Sequence, residues 1–131
     1  MTNPILPPPV WVDKPDTFNQ MLGDLTAQTR LAVDTESNSL HAYREQVCLI
    51  QFTTPGKDYV VDPLALQDMS ALGPIFNNPE IEKIFHAAEY DLICLRRDFD
   101  FQFSNLFDTM HAARVLGYQF VGLDNLLAEK F

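Results

Sequence analysis

The residue types and spacings that suit chemistry lie in two acidic stretches. The first is Asp34-Thr35-Glu36, directly after the apolar run Leu31-Ala32-Val33. On a strand, residues i and i+2 point to the same face, so Asp34 and Glu36 project together. Two adjacent carboxylates repel unless a cation sits between them. Their hard oxygen donors suit Mg²⁺ or Mn²⁺. The plainer reading is a solvated strand end, where acidic residues are common. The second stretch is His86-Ala87-Ala88-Glu89-Tyr90-Asp91. It joins a strand to a helix and puts Asp91 in the first helical turn, where the helix dipole favours a carboxylate. An ordinary first-turn acid would look the same. His86 would contact phosphate or steady a metal ligand, or it is a hydrogen-bonded histidine at a strand end. A third acid, Asp108, precedes Thr109 at the start of a helix. Capping that helix is the reading preferred over assisting a site.

These residues need a scaffold that brings them together. Val10–Val12 suits a short strand. Residues 15–28 suit a helix, with Pro15 in the first turn, Asp13 as the cap, and Phe18, Met21, Leu22 and Leu25 at helical spacing. Residues 31–34, 46–53 and 58–62 suit three strands joined by short turns, an antiparallel meander. In the second of them Val47, Leu49 and Gln51 fall on one face, and Cys48, Ile50 and Phe52 on the other. Helices are expected over 69–77 (capped by Asp68), 88–99, 109–116 and from 122 onward, with short strands at 81–85 and 106–107. A meander followed by alternating helices and strands indicates a mixed α/β sheet. It suits a ribonuclease H-like core with strand order 3-2-1-4-5. In that order strand 4 neighbours strand 1, and Asp91 faces Asp34 and Glu36 across a cleft.

Composition bounds the function classes. A chain of 131 residues with 47% hydrophobic and 21% charged residues is globular, and it fits one domain. Residues 1–9, with Pro7 to Pro9, suit an extended arm ahead of a domain at 10–131. No apolar run is long enough for a bilayer, so no membrane partner is expected. The first ten residues do not read as a signal segment. Cys48 and Cys94 have no metal or disulfide spacing, and they suit buried free thiols in a cytoplasmic protein. Eighteen acidic against nine basic residues argue against holding nucleic acid through a broadly basic surface. An acidic site that reaches phosphate through metal ions remains open.

Taken in order, the motifs resemble a known family. Asp34-Thr35-Glu36-Ser37-Asn38-Ser39-Leu40 resembles the first motif of the DEDD 3′→5′ exonucleases, and Phe85 to Leu92 their second. Residues 47–52 and 60–64 resemble the strands between them. Leu106-Phe107-Asp108-Thr109 resembles the Asp-Thr that opens a later helix in ribonuclease D. The likeness runs over roughly residues 29–130. It implies two-metal hydrolysis at the 3′ end of single-stranded RNA or DNA, with Asp34, Glu36 and Asp91 holding two Mg²⁺ or Mn²⁺ ions about 4 Å apart. Thr35, Leu40, His86 and Tyr90 would contact substrate, with Leu40 wedged against the last nucleotide or else packed in the core.

The family's third motif has no match. It is a Tyr, or a His in a sister subfamily, followed four residues later by a metal-binding Asp. After Asp91 the only tyrosine is Tyr118, Gly122 stands where the Asp belongs, and Asp124 is two residues too late. The stripe of Leu123, Leu126 and Leu127 runs to the end of the chain. The expectation is therefore a partial exonuclease domain lacking its C-terminal helices, with little or no activity. The competing readings are a non-catalytic module that binds metal, nucleic acid or a protein partner, and a fragment that self-associates through uncovered apolar surface.

Overall fold

The computed structural model describes residues 5–38 and 44–131. Leu40 and its proposed contact with substrate lie outside the described residues. The elements are β1 (Val10–Val12), α1 (Pro15–Thr26), β2 (Arg30–Ser37), β3 (Val47–Thr53), β4 (Asp58–Val61), α2 (Pro63–Leu66), a 3₁₀ turn (Ser70–Leu72), α3 (Gly73–Phe76), β5 (Glu82–Phe85), α4 (Ala88–Phe99), β6 (Leu106–Asp108), α5 (Thr109–Val115) and α6 (Leu123–Lys130). Among the described residues the strands form one six-stranded sheet in the order β1-β4-β3-β2-β5-β6. The meander β2-β3-β4 is antiparallel, and β5 and β6 add parallel strands beside β2. Setting β1 aside, this is the expected 3-2-1-4-5 order. β1 extends the far edge by pairing parallel to β4.

Alternation along β2 divides the sheet into two faces. Leu31 and Val33 are buried, whereas Ala32, Asp34 and Glu36 are exposed. The buried face continues through Ile50, Phe52, Tyr59, Val61 and Phe85, and it packs against Met21 and Leu25 of α1 and Cys94 and Leu95 of α4. An aromatic group built on Phe76 closes one flank. Its ring lies 5.9 Å from Phe52, 5.1 Å from Phe101 and 5.3 Å from Phe103.

The structure corrects several expectations. β2 runs on to Ser37, so Glu36 lies within the strand and not after it. In β3 the pairing jumps from Glu36–Leu49 to Ser37–Val47, which makes Cys48 the extra residue of a bulge. The bulge reverses the alternation. Val47 is therefore buried with Ile50 and Phe52, and not on the Gln51 face. The helix expected over 69–77 is broken into the 3₁₀ turn and α3. Gly73 and Pro74 sit at the junction, and proline supplies no backbone donor there. Asp68 accepts from Ser70 N at 3.0 Å, but the cap position of the 3₁₀ turn is Met69, which makes no side-chain bond, so Asp68 is not the cap. Asp13 is not the cap of α1. Lys14 holds that position without a side-chain bond, and the helix ends at Thr26.

Candidate active site

Register brings the two acidic stretches together. β2 and β5 run parallel with Ala32 opposite Ile84. Two steps further along each strand, Asp34 is level with His86. There β5 has ended and the chain turns into α4. Asp34 and His86 line one open-face cavity of about 390 Å³ together with Ala32, Gln51, Ile84 and Leu123.

Asp91 enters from the other side. It is buried, only 9% exposed. Thr35, which points away from Asp34 and Glu36, donates its hydroxyl to the Asp91 carboxylate. Burial pushes the Asp91 carboxyl up, the Thr35 bond opposes that shift, and the charges of Asp34 and Glu36 add to it. Asp91 thus lies at the end of β2 near both strand carboxylates, with Thr35 between the two sides. As the side chains stand, Asp34 and Glu36 project on the open face and Asp91 meets Thr35 on the other, so the single cleft expected to face all three carboxylates is not formed, because Asp91 takes Thr35 as its partner. Among the described residues no group of three or more His, Cys, Asp or Glu is assembled to hold a metal ion. The donor chemistry does fit a hard divalent cation, since Asp34, Glu36 and Asp91 all offer carboxylate oxygens.

His86 is hydrogen-bonded. Its Nδ1 lies 2.8 Å from Thr109 Oγ1, and that hydroxyl donates to the Phe85 carbonyl at 3.2 Å. The one hydroxyl proton of Thr109 can serve only one of these partners at a time, so the direction of the His86 bond follows the imidazole tautomer. Tyr90 exposes its ring and donates its hydroxyl to Glu45. That bond raises the phenol to about 12. Glu45 pairs with Arg97 at 3.2 Å, and Arg97 pairs with Asp98 at 2.7 Å. Asp98 also accepts from Val47 N at 2.7 Å, the amide at the β3 bulge.

Asp108 is the participant whose reach the sequence conceals. It caps α5, accepting from Met110 N at 2.9 Å and His111 N at 3.2 Å. It also accepts from Ala87 N at 3.1 Å and Ala88 N at 2.7 Å, at the start of α4. The Asp-Thr pair before a helix signals the first role. No local pattern signals the second, because the donors lie about twenty residues upstream. Ala87 needs the help: it is left-handed (φ 57°), a conformation that costs a non-glycine residue about 1–2 kcal/mol, and it has no side-chain oxygen for the cap.

This mixed sheet, with an acid-bearing strand beside a capped strand-to-helix turn, has the ribonuclease H-like fold. The family model for the 3′–5′ exonuclease matches residues 9–131, and the chain belongs to that family. Within it the chain is of the ribonuclease D type of the DEDD superfamily. The exosome complex exonuclease RRP6 of Saccharomyces cerevisiae is 41% identical over 110 residues, which is 83% of this chain and 15% of that protein. The catalytic core of RRP6 from Trypanosoma brucei superposes with a TM-score of 0.81 at 33% identity, over 88% of this chain and 32% of that one. Escherichia coli RNase D, an exoribonuclease involved in structured RNA processing, superposes with a TM-score of 0.85 at 27% identity, over 94% of this chain and 33% of that one. The chain thus spans about a third or less of each of these three proteins. DEDD exonucleases use divalent metal ions. Among the described residues no helix is long and apolar enough to cross a membrane.

Proposed function

We propose that residues 10–131, behind the arm at 1–9, form the metal-binding part of a 3′→5′ exoribonuclease site. The observation that carries this reading is the Thr35–Asp91 hydrogen bond, which fixes the buried Asp91 carboxylate to the strand end that carries Asp34 and Glu36. These three would hold Mg²⁺ or Mn²⁺, and Thr35 would keep Asp91 oriented through their hydrogen bond. Bound divalent ions supply an activated water and stabilise charge on the leaving 3′ oxygen. His86, which lines the cavity beside Asp34, and the exposed ring of Tyr90 would contact the terminal nucleotide. RNA is favoured over DNA because the 41%-identical relative is named an exosome complex exonuclease and the 27%-identical one an exoribonuclease involved in structured RNA processing. Two free thiols suit a reducing compartment, and we assign the cytoplasm.

The sequence has no Tyr-x-x-x-Asp or His-x-x-x-Asp after Asp91. These 131 residues are therefore proposed to cleave weakly or not at all. Losing one preorganised group that stabilises transition-state charge typically costs about 10²–10³ in rate. A second reading is a non-catalytic module on the same fold that binds metal, nucleic acid or a protein partner; retention of Asp34, Glu36 and Asp91 favours the first.

Calorimetric titration with Mn²⁺ tests the assignment. The chain should bind Mn²⁺ weakly, and the Asp34→Ala, Asp91→Ala double variant should lose that binding. Binding unchanged in the double variant would rule out these ligands. In parallel, a 3′-labelled single-stranded RNA should survive incubation with the chain and Mn²⁺. Turnover at a rate ordinary for enzymes, stopped by Asp34→Ala, would overturn the proposal of weak activity.

A further inference from the structure

The geometry points to Asp108 as a positioning residue of this site, one that sets Asp91 by pinning the N-terminus of α4. The inference rests on the metal-binding reading above. A helix begins with four backbone N–H groups that lack partners inside it. In α4 the residue at the cap is Ala87, which has nothing to offer them, and two of the donors there, Ala87 N and Ala88 N, are taken by Asp108. The same carboxylate takes two donors of α5. One side chain therefore ties two helix starts together. Thr109 ties the same turn from the next position, through the Phe85 carbonyl and the His86 ring. The segment 85–88 is thus held at four points by the dipeptide Asp108-Thr109. Asp91 follows within the first turn of α4, so its approach to Thr35 depends on where that turn is held.

The two oxygens of Asp108 are used unequally. Oδ2 accepts from Ala88 N, and Oδ1 accepts from Ala87, Met110 and His111. In Asp108→Asn one oxygen becomes an amide nitrogen, which cannot accept, so the variant should keep one helix start and release part of the other. Asp108→Ala should release both. Asp62 supplies the control. It caps α2 by accepting from Leu64 N at 3.0 Å and Ala65 N at 3.1 Å, and no part of α2 lines the cavity that holds Asp34.

The test measures Mn²⁺ affinity by paramagnetic broadening, amide hydrogen exchange, and stability to urea. Asp108→Ala should lower Mn²⁺ affinity by about tenfold or more, the range seen when groups that orient metal ligands are removed. Exchange at Ala88 and the amides that follow it should speed up. Asp108→Asn should fall between Asp108→Ala and the parent chain. Asp62→Ala should lose stability but bind Mn²⁺ as the parent does. Parent-like Mn²⁺ affinity in folded Asp108→Ala, or in Asp108→Asn if the alanine variant does not fold, would overturn the positioning role. An affinity loss in Asp62→Ala equal to that of the Asp108 variants would overturn it too, because general loosening would then suffice. Asp34→Ala separates the two levels: if it binds Mn²⁺ like the parent, the metal reading has failed and the positioning role falls with it. If only Asp34→Ala loses binding, the metal reading stands and the role of Asp108 is wrong.

Discussion

Individual side chains in this molecule are governed by what happens to charge when water is removed. Asp91 tolerates burial because Thr35 donates to it, although two neighbouring carboxylates oppose its ionisation. Lys83 is the opposite case. It sits on β5, fully buried, and its ammonium donates to the Asn78 carbonyl at 2.8 Å. Among the described residues no carboxylate pairs with it. Burial lowers its pKa because the charged form loses hydration. Lys83→Met keeps the length of the chain and removes that cost, so the variant should be more stable to urea at neutral pH by about 1 kcal/mol. The sign with pH follows from proton counting. Between the lowered native pKa and the unfolded value of about 10.4, the unfolded state holds more protons, so the parent gains stability as pH rises. The advantage of Lys83→Met should therefore shrink across that window. An advantage that stayed constant, or a variant less stable at neutral pH, would show that the Asn78 bond outweighs the desolvation.

Elements are placed here by a few contacts that local propensity does not contain. α1 needs little help, since Pro15 opens it and its apolar residues lie at helical spacing. β3 depends on its bulge, which turns Val47 inward and presents its amide to Asp98. The weakest segment by propensity runs from Ser70 to Phe76, where a 3₁₀ turn gives way to a four-residue helix. Such short helices do not persist by themselves. Phe76 holds this one, fully buried and in ring contact with Phe52, Phe101 and Phe103. Phe76→Ala should cost about 3–5 kcal/mol in equilibrium denaturation. A loss below about 1 kcal/mol would mean that the aromatic group is not what anchors the segment.

At the scale of the whole molecule the sheet is covered unequally. One face carries the continuous core, while Ala32, Asp34, Gln51 and Thr53 on the other are exposed. Beside that open face, α5, α6 and the loop joining them expose Val115, Leu116, Phe120, Leu123 and Leu127. Apolar surface of this kind favours association, and a formal net charge of −9 opposes it. We expect the chain to self-associate weakly, and more strongly as added salt screens the repulsion. Sedimentation velocity over a range of concentrations and salt tests this. Leu116→Glu with Phe120→Glu should shift the species toward monomer, whereas a parent chain that is monomeric under every condition would remove the proposal.

How much of this was legible in the sequence depends on the range of the physics involved. Alternating polarity placed the meander, and helical spacing placed α1 and α4, because both patterns lie within a few consecutive residues. Asp34 and Glu36 on one side of a strand is likewise a local fact, and the ordered motifs were enough to indicate the fold and family. The tertiary structure decided what depends on partners far along the chain. The bulge at Cys48 turned Val47 inward against the simple alternation, and Gly73 with Pro74 split a helix that the apolar pattern joined. Thr35, between two acids in sequence, proved to be the contact that Asp91 uses across the strand. Asp108 carries in its own neighbourhood only the signal of a cap for α5. That it also caps α4 follows from the parallel pairing of β5 with β6, which brings the ends of both strands, and hence the starts of both helices, to the same edge of the sheet.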